Sequence, residues 1–299
     1  MTLEQLRIFV EVAGRQHLTQ AAAALHLTPS AVSASIRVLE ERYGTPLFNR
    51  VGRRIETNEA GRLFLVEARA TLAAARAAEL TLSELAGLRR GTLTIYASQT
   101  IASYWLPPLL VRFHQRHPQI ALALTIGNTE KVAQAIVDGA ADLGFVEGHV
   151  DAPDLVAETV GRDRIAAVVA PAHPWADGRA VAPRDCLDVQ WILREKGSGT
   201  RSAFEEWLRA AGVDADPLSV ALTLPSNEAV RAALMAGPFA TVTSELVVAA
   251  QLQAGLLVRV NATLPPRDFY MLRHGARYQG RAALAMAALI REDQASSGA

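Results

Sequence analysis

The 299-residue chain is predicted to be an α/β protein with a small helical head, and three observations lead there. From residue 91 onward short apolar runs alternate with helical patterns. Residues 1–60 hold three short amphipathic patterns followed by a hairpin, and an Ala-rich stretch without proline joins the two parts. Half of the residues are hydrophobic, and the length suits about two domains, each with its own core.

In the head, Leu3, Leu6, Ile8, Phe9 and Val12 recur at close to helical spacing and predict a first helix. A second fits Thr19 to Leu25, with Thr19 as its cap and Ala21 to Ala24 permitting close approach of a neighbour. Thr28 then has the chemistry of an N-cap and Pro29 that of a first helical residue, where the missing N–H has no intrahelical partner to lose. This third helix runs to about Tyr43. On its wheel Val32, Ile36, Leu39 and Tyr43 share one face, while Ser30, Ser33, Ala34, Arg37 and Glu41 share the other. After Gly44, the Pro46-Leu47-Phe48 segment starts a strand, and Asn49 to Glu56 form a hairpin wing with Gly52 at its tip.

A helix, a short turn and a second helix with small polar groups and an arginine outward is the pattern of a helix-turn-helix, whose second helix enters the DNA major groove. Thr28, Pro29, Ser30, Ser33, Ala34 and Arg37 are therefore candidate DNA-contacting residues, and Arg50, Arg53 and Arg54 on the wing are candidates for phosphates, which position a protein without reading sequence. The whole chain has 30 basic and 30 acidic residues, a neutrality that argues against a nucleic-acid partner until it is divided. Residues 1–90 carry 12 Arg and no Lys against 9 Glu, and the remainder carries 18 basic against 21 acidic residues, a net of +3 and −3. A basic head on a mildly acidic body binds phosphate locally and keeps the rest of the molecule off it.

Residues 1–62, through Leu6-Arg7-Ile8-Phe9, Ala21-Ala22, Ala31-Val32-Ser33, Leu39-Glu40, Leu47-Phe48-Asn49-Arg50 and Ala60-Gly61, resemble the winged helix-turn-helix of LysR-type transcriptional regulators. Pro29-Ser30 stands where that family usually has Gln-Pro, so the family's glutamine contact does not carry over. Thr57-Asn58 stands where it usually has Leu-Thr, and Asn58 still has the chemistry to cap the next helix. From Asn58 to about Leu88 a single long linker helix is expected. Its Leu63, Val66, Ala70, Ala73, Ala77, Leu80 and Glu84 approximate a three-four repeat, a seam for a partner helix. The resemblance implies dimerisation there, which places two recognition helices on two half-sites.

In the body, Thr92–Ala97, Ile120–Ile126, Leu143–Val146, Ile165–Val169 and Trp191–Leu193 are expected as buried strands of largely parallel sheets; Trp105–His117, Glu130–Gly139, Arg201–Ala211 and Glu228–Ala236 are expected as helices. Ligands of such folds bind beyond the carboxyl ends of strands, beside helix N-termini. The candidate ligand-binding residues sit at those junctions: Ser98, Gln99 and Thr100; Asn128 and Thr129; Glu147; Ser198, Gly199, Thr200 and Arg201; Ser226 and Asn227. Ser, Thr and Asn are also ordinary N-caps, so each alone carries little. The Gly197-to-Arg201 loop is the sharpest, because its glycines let N–H groups converge and Arg201 adds charge; without a Gly-Lys-Ser/Thr ending it is no P-loop.

Residues 92–295, through Leu106-Pro107, Asp142-Leu143-Gly144, His173-Pro174 and Gly199-Thr200-Arg201, are similar to the two-lobed, periplasmic-binding-protein-like effector domain of the same family, with Gly127-Asn128-Thr129 and Val146-Glu147-Gly148 resembling its sulfur-assimilation and carbon-fixation branch. The resemblance implies a winged helix-turn-helix at 1–60, a linker helix at 61–90 and an effector domain at 91–299, with lobe I at about 91–161 and 268–295, lobe II at about 162–267, and crossovers near Gly161–Asp163 and Leu264–Asp268. It further implies a homodimer, paired into a homotetramer on promoter DNA, with RNA polymerase as a further contact. Hydroxyls at helix N-termini suit a small anion in the interlobe cleft. Glu147 opposes that charge unless Arg201, Lys196 or a ligand cation offsets it, or the carboxylate points away.

An enzyme and a pure ligand-binding protein are the rival classes. No His pair has metal-ligand spacing, His114 and His117 lacking a Cys or Glu-His partner, and no Gly-x-Ser-x-Gly elbow surrounds Ser98 or Ser198. The lone Cys186 has no second cysteine to resolve an oxidised form. No cofactor or metal is expected. The absence of a charged leader and of a long apolar run leads to the expectation of a cytoplasmic protein with no membrane partner.

Overall fold

The computed structural model describes residues 1–51, 54–85, 91–148, 150 and 152–297. The chain divides into a head, residues 1–87 with 137–140, and a body, residues 88–136 with 141–299.

The head starts with α1 (Leu3–Arg15), α2 (Leu18–Ala24) and α3 (Pro29–Tyr43). Thr2 and Gln5 form a reciprocal capping box at the start of α1. The second helix is capped by His17, whose Nδ1 accepts from Gln20 N, and not by Thr19: the helix begins two residues earlier than its threonine suggests. Thr28 caps α3 as expected, accepting from Ala31 N at 3.2 Å, and Gly44 in the left-handed region ends it. Val32, Ile36 and Leu39 are buried beside Leu6, Phe9 and Val12, but Tyr43 is 56% exposed, so the core face of α3 is one turn shorter than its periodicity.

The wing is an antiparallel pair, β1 (Phe48–Val51) and β2 (Arg54–Thr57), and the turn with Gly52 and Arg53 lies outside the described residues. Glu40 anchors it: its Oε1 accepts from Leu47 N at 2.7 Å and from Phe48 N, joining α3 to the first wing strand. Asn58 caps α4 (Glu59–Leu85), accepting from Gly61 N at 2.8 Å, while its Nδ2 donates to Pro46 O. Along α4, Leu63, Val66 and Ala70 are exposed, Ala73 is buried and Ala77 is half-buried; the Leu80 and Glu84 side chains lie outside the described ones.

The body opens with β3 (Gly91–Ser98), a π-helical turn at Ile101–Trp105 and α5 (Leu106–Arg116). The π turn precedes the helix expected from Trp105, which begins one residue later at Leu106; Pro107 and Pro108 follow and offer no N–H to the carbonyls before them. Next come β4 (Ile120–Gly127), α6 (Thr129–Val137), β5 (Leu143–Glu147) and β6 (Leu155–Asp163). The chain then enters a second sheet through β7 (Ile165–Val169), two 3-10 turns at Pro174–Asp177 and Pro183–Asp188, β8 (Gln190–Arg194) and α7 (Gly199–Ala210). It continues through β9 (Ser219–Leu224), α8 (Asn227–Met235), β10 (Ala240–Ser244), α9 (Glu245–Gln253) and β11 (Val258–Arg259), then returns by β12 (Arg267–His274) and ends in α10 (Arg281–Ser297).

Two five-stranded sheets result, ordered β4-β3-β5-β12-β6 and β11-β7-β10-β8-β9. They are mixed, not largely parallel. The returning strand β12 runs antiparallel between β5 and β6, and β7 pairs antiparallel with both β10 and β11. The reason is the path: a chain that crosses between two sheets and comes back must supply strands of opposite sense at the crossing. In the first lobe Trp105 packs on Phe145 and Phe269 over Ile95 and Phe113. In the second, Trp191 lies between Trp175 and Phe204 and donates from Nε1 to Cys186 O at 2.8 Å. Cys186 is buried, and burial pushes its thiol up to about 12, which removes the thiolate that redox chemistry needs. Among the described residues no helix is long and apolar enough to cross a membrane.

Candidate functional site

On the head, α3 presents Thr28, Pro29, Ser30, Ala34 and Arg37 to solvent, with Ser33 half-buried. Thr28 Oγ1 both caps the helix and lies 3.0 Å from Ser30 Oγ, so the cap and the outward hydroxyl are one small network. Ser30, Ser33, Ala34 and Arg37 line one side of a groove of about 370 Å³, and Phe48 and Ile55 of the wing close the other. Arg37 reaches no closer than 3.7 Å to Glu41, and both side chains are about 70% exposed, a pairing that water screens almost completely. Arg54 on β2 is exposed; Arg50 lies on β1, its side chain outside the described ones, and Arg53 lies outside the described residues.

In the body the expected junctions separate into two groups. Asn128 and Ser226 are caps: Asn128 Oδ1 accepts from Lys131 N at 3.0 Å, and Ser226 Oγ accepts from Ala229 N at 3.0 Å. Ser98, Thr100, Ser198 and Thr200 make no capping bond and are buried, at 2%, 1%, 3% and 3% exposure. Several junctions hold the two lobes together. Asn227 N donates to Gln99 Oε1 at 2.7 Å, Asn227 Nδ2 donates to Thr100 Oγ1 at 3.2 Å, and Gln99 Nε2 donates to Glu228 Oε2 at 2.7 Å. Further along, Asn128 Nδ2 reaches Lys196 O and Glu130 N reaches Gly197 O, while Thr129 Oγ1 donates to Glu147 O on its own side of the cleft. The glycine loop makes this approach possible. Gly197 has φ +83°, and a Cβ there would meet Glu130 Oε2 at 2.6 Å; one on Gly199 would meet Glu147 O at 2.5 Å.

The charges differ from expectation. Arg201 does not face Glu147: its Nε donates to Glu205 and its Nη1 to Arg194 O, along and behind its own helix. The cation beside Glu147 is Arg267, at the start of β12. Its Nε donates to Asp163 Oδ2 at 2.8 Å, its Nη1 donates to Thr200 Oγ1 at 3.0 Å, and its Nη2 stands 3.9 Å from Glu147 Oε1. Asp163 also accepts from Ser244 Oγ at 2.7 Å. Burial holds the Asp163 carboxyl above its ordinary range, against the lowering pull of Arg267 and Ser244. Arg194, buried, donates to Asn227 Oδ1 at 2.5 Å and pairs with Glu195. Tyr104, on the π turn, donates to Glu228, and burial raises its hydroxyl pKa.

Sequence reasoning missed Arg267, Asp163, Arg194, Tyr104 and Glu228. For the first two a signal existed: each falls in a segment expected to cross between lobes, and a charge in a chain crossing is buried with a partner or not at all.

Residues 3–62 match the bacterial regulatory helix-turn-helix family of LysR type, and residues 68–295 match the LysR substrate binding domain. A curated relative, the uncharacterized HTH-type transcriptional regulator YeiE of Escherichia coli (strain K12), is 36% identical over 284 residues, covering 94% of each chain. The RuBisCO operon transcriptional regulator of Allochromatium vinosum is 32% identical over 280 residues, covering 93% of this chain and 91% of that one. Among solved structures, full-length CbnR complexed with its target DNA superposes with a TM-score of 0.65 at 20% identity, over 98% of this chain and 99% of that one. With the head matched by one LysR family and most of the remainder by the other, the chain belongs to the LysR family of DNA-binding transcriptional regulators with an effector-binding domain.

Proposed function

We propose that the regulator senses a small anionic metabolite in the cleft between its lobes and passes that state to promoter DNA held by its head. The observation that carries the effector half is the buried constellation of Thr100, Thr200 and Arg267, hydroxyls and a guanidinium gathered from both lobes with no apolar purpose. Ser98, Gln99, Asn128, Thr129, Glu147, Ser198, Gly199, Ser226 and Asn227 frame it, whereas Arg201 supports it from the loop's outer side. In the head, Ser30, Ser33, Ala34 and Arg37 meet base edges, Thr28 and Pro29 set the entry of the helix, and Arg50, Arg53 and Arg54 meet phosphates.

The organisation is a DNA-binding domain over 1–60, a linker helix over 61–90 that pairs with a second copy through Leu63 and Val66, and an effector domain over 91–299. Lobe I takes about 91–161 and 268–295, and lobe II about 162–267. Leu63 and Val66, 71% and 65% exposed on a helix, support the pairing, because such side chains gain most from a partner. Two dimers on an interrupted inverted repeat form a tetramer whose arrangement shifts when ligand binds. It acts in the cytoplasm, with RNA polymerase as its downstream contact.

Promoter retardation and thermal shift test the two halves separately. Ser33→Ala with Arg37→Ala should abolish specific retention with the fold intact, while Arg54→Ala should weaken every sequence alike and lower the salt slope by about 1. Thr100→Val should remove anion-dependent stabilisation and leave DNA binding in place. Retained specificity in the double variant, or an unchanged anion shift in Thr100→Val, would each sink its half.

A further inference from the structure

Three ionisable side chains lie together where β5, β6 and β12 meet: Glu147, Asp163 and Arg267, at 3%, 2% and 6% exposure. Strand register puts them side by side, with Phe269 opposite Glu147 and Arg267 opposite Asp163. Two carboxylates share one guanidinium, but not equally. Asp163 is satisfied on both oxygens, by Ser244 Oγ and by Arg267 Nε. Glu147 is left with a guanidinium nitrogen at 3.9 Å, too far for a hydrogen bond, and no donor among the described residues reaches its carboxylate.

The donors nearby are unspent in the opposite sense. Thr100 Oγ1 already accepts from Asn227 Nδ2, and Thr200 Oγ1 already accepts from Arg267 Nη1, so each hydroxyl keeps its own proton to give. Ser98 Oγ is buried with no partner, and Arg267 Nη2, although close to Asp163, makes no aligned hydrogen bond. A buried donor or acceptor left without a partner is costly, so this pattern describes what its occupant must supply. It needs an anion to accept from the hydroxyls and the guanidinium. It also needs a proton to give to Glu147, because a fully deprotonated anion would meet that carboxylate as a like charge.

Building on the cleft reading above, we propose that the effector is an anion that retains a hydrogen-bond donor, either a protonated oxyanion or a carboxylate bearing a hydroxyl, and that Glu147 is the residue that selects for that donor. The ligand's O–H then donates to Glu147 in a charge-assisted bond, and its remaining oxygens accept from Thr100, Thr200 and Arg267. A site built around a hydrogen bond rejects the analogue that cannot make it, because the protein group is left unpaired.

Titration of the full-length chain with two matched pairs at neutral pH and constant ionic strength tests this: inorganic phosphate against sulfate, and glycolate against acetate. Within each pair charge and size are close, and only the first member keeps a donor. The expected result is at least about tenfold tighter binding of phosphate over sulfate and of glycolate over acetate. In Glu147→Gln that preference should shrink to within about threefold, since the amide carries no charge and offers its own N–H. Either pair alone meeting the expectation identifies which donor-bearing class the cleft takes. Equal binding within both pairs by the wild-type chain, a comparison that needs no variant, overturns the proposal, as does an undiminished preference in Glu147→Gln. Thr100→Val separates the two levels: equal binding that this change abolishes leaves the cleft reading standing and removes only the selection. Binding that it leaves untouched, or no binding by any of the four, removes both.

Discussion

The recognition face of the head and the cleft of the body use the same residue types, serine, threonine and arginine, in opposite circumstances. On α3 they face water. Arg37 stands 3.7 Å from Glu41 one helical turn away, and among the described residues Ser30 meets the hydroxyl of its own cap. In the cleft they face one another: Asn227 meets Thr100 across 127 residues of sequence, and Arg267 meets Asp163 across 104. A surface that reads DNA can leave its groups solvated until the partner arrives, because water pays no penalty for hydrating them and counterion release supplies the affinity. A buried cluster cannot. Each polar group there must be held by the protein or by something bound to it, so a buried group without a partner is the one that carries information.

If the two regions are as separate as this implies, damage to one should leave the other intact. The largest effect is expected from Phe9→Ala, which removes a fully buried ring packed against Phe48 and Phe64 at 5.4 and 4.8 Å. It should cost the head about 3–5 kcal/mol. Calorimetry of the full chain should show the head transition lost or lowered and the body transition unmoved; a shared shift would mean that the units unfold as one. Next in size is Asn227→Ala, which takes the partner from Arg194 Nη1 and from Thr100 Oγ1 and leaves the Arg194–Glu195 pair in place. The expected loss is about 2–3 kcal/mol in the body transition alone, with promoter retention in the absence of effector preserved.

The smallest effect is a pH dependence of the body. His173 is buried as the cap of a 3-10 turn, its Nδ1 accepting from Trp175 N at 3.1 Å, and burial lowers its pKa below the ordinary 6.5. His274 shifts the same way, through burial first and Arg277 second. In both, the unfolded chain takes up a proton that the folded one refuses. Stability is therefore full above 6.5 and declines as pH falls below it. His173→Asn, which keeps an acceptor for Trp175 N, should flatten part of that decline in the body transition and leave the head transition unchanged.

Legibility in the sequence follows the same division. Thr28, Pro29 and Gly44 mark the ends of α3 because capping depends on residues within a turn of one another, and Asn58 marks the start of α4 for the same reason. Where a local rule had a local competitor, it failed: Thr19 was the better cap by composition, yet His17 holds the position. In the body the strands expected at Leu143, Ile165 and Trp191 are present and buried, because apolar runs between turns need only be short; the one expected at Ile120 is present but not buried, because it lies at the edge of its sheet. Their sense was not legible. Antiparallel β12 at the heart of the first sheet follows from where the chain returns, a property of the path and not of any segment.

The chemistry of the cleft divides likewise. That hydroxyls and amides would gather at strand ends was visible, and so was the close approach allowed by the glycine loop. Which of them would serve as caps was decided by bond geometry: Asn128 and Ser226 became caps, while Thr100 and Thr200 bond Asn227 and Arg267 instead. The buried arginine that joins Asp163 to Thr200, Arg267, has no motif around it. The sequence by itself determined the basic head, the recognition helix with its caps, and a body of alternating strands and helices, because each depends on spacing along the chain or on a sum over it. Only the tertiary structure decided that Arg201 turns to Glu205 while Arg267 turns to Asp163, Thr200 and Glu147. Charge pairing in a buried site is settled by which segments the fold brings within a few ångströms, and no distance along the chain encodes that.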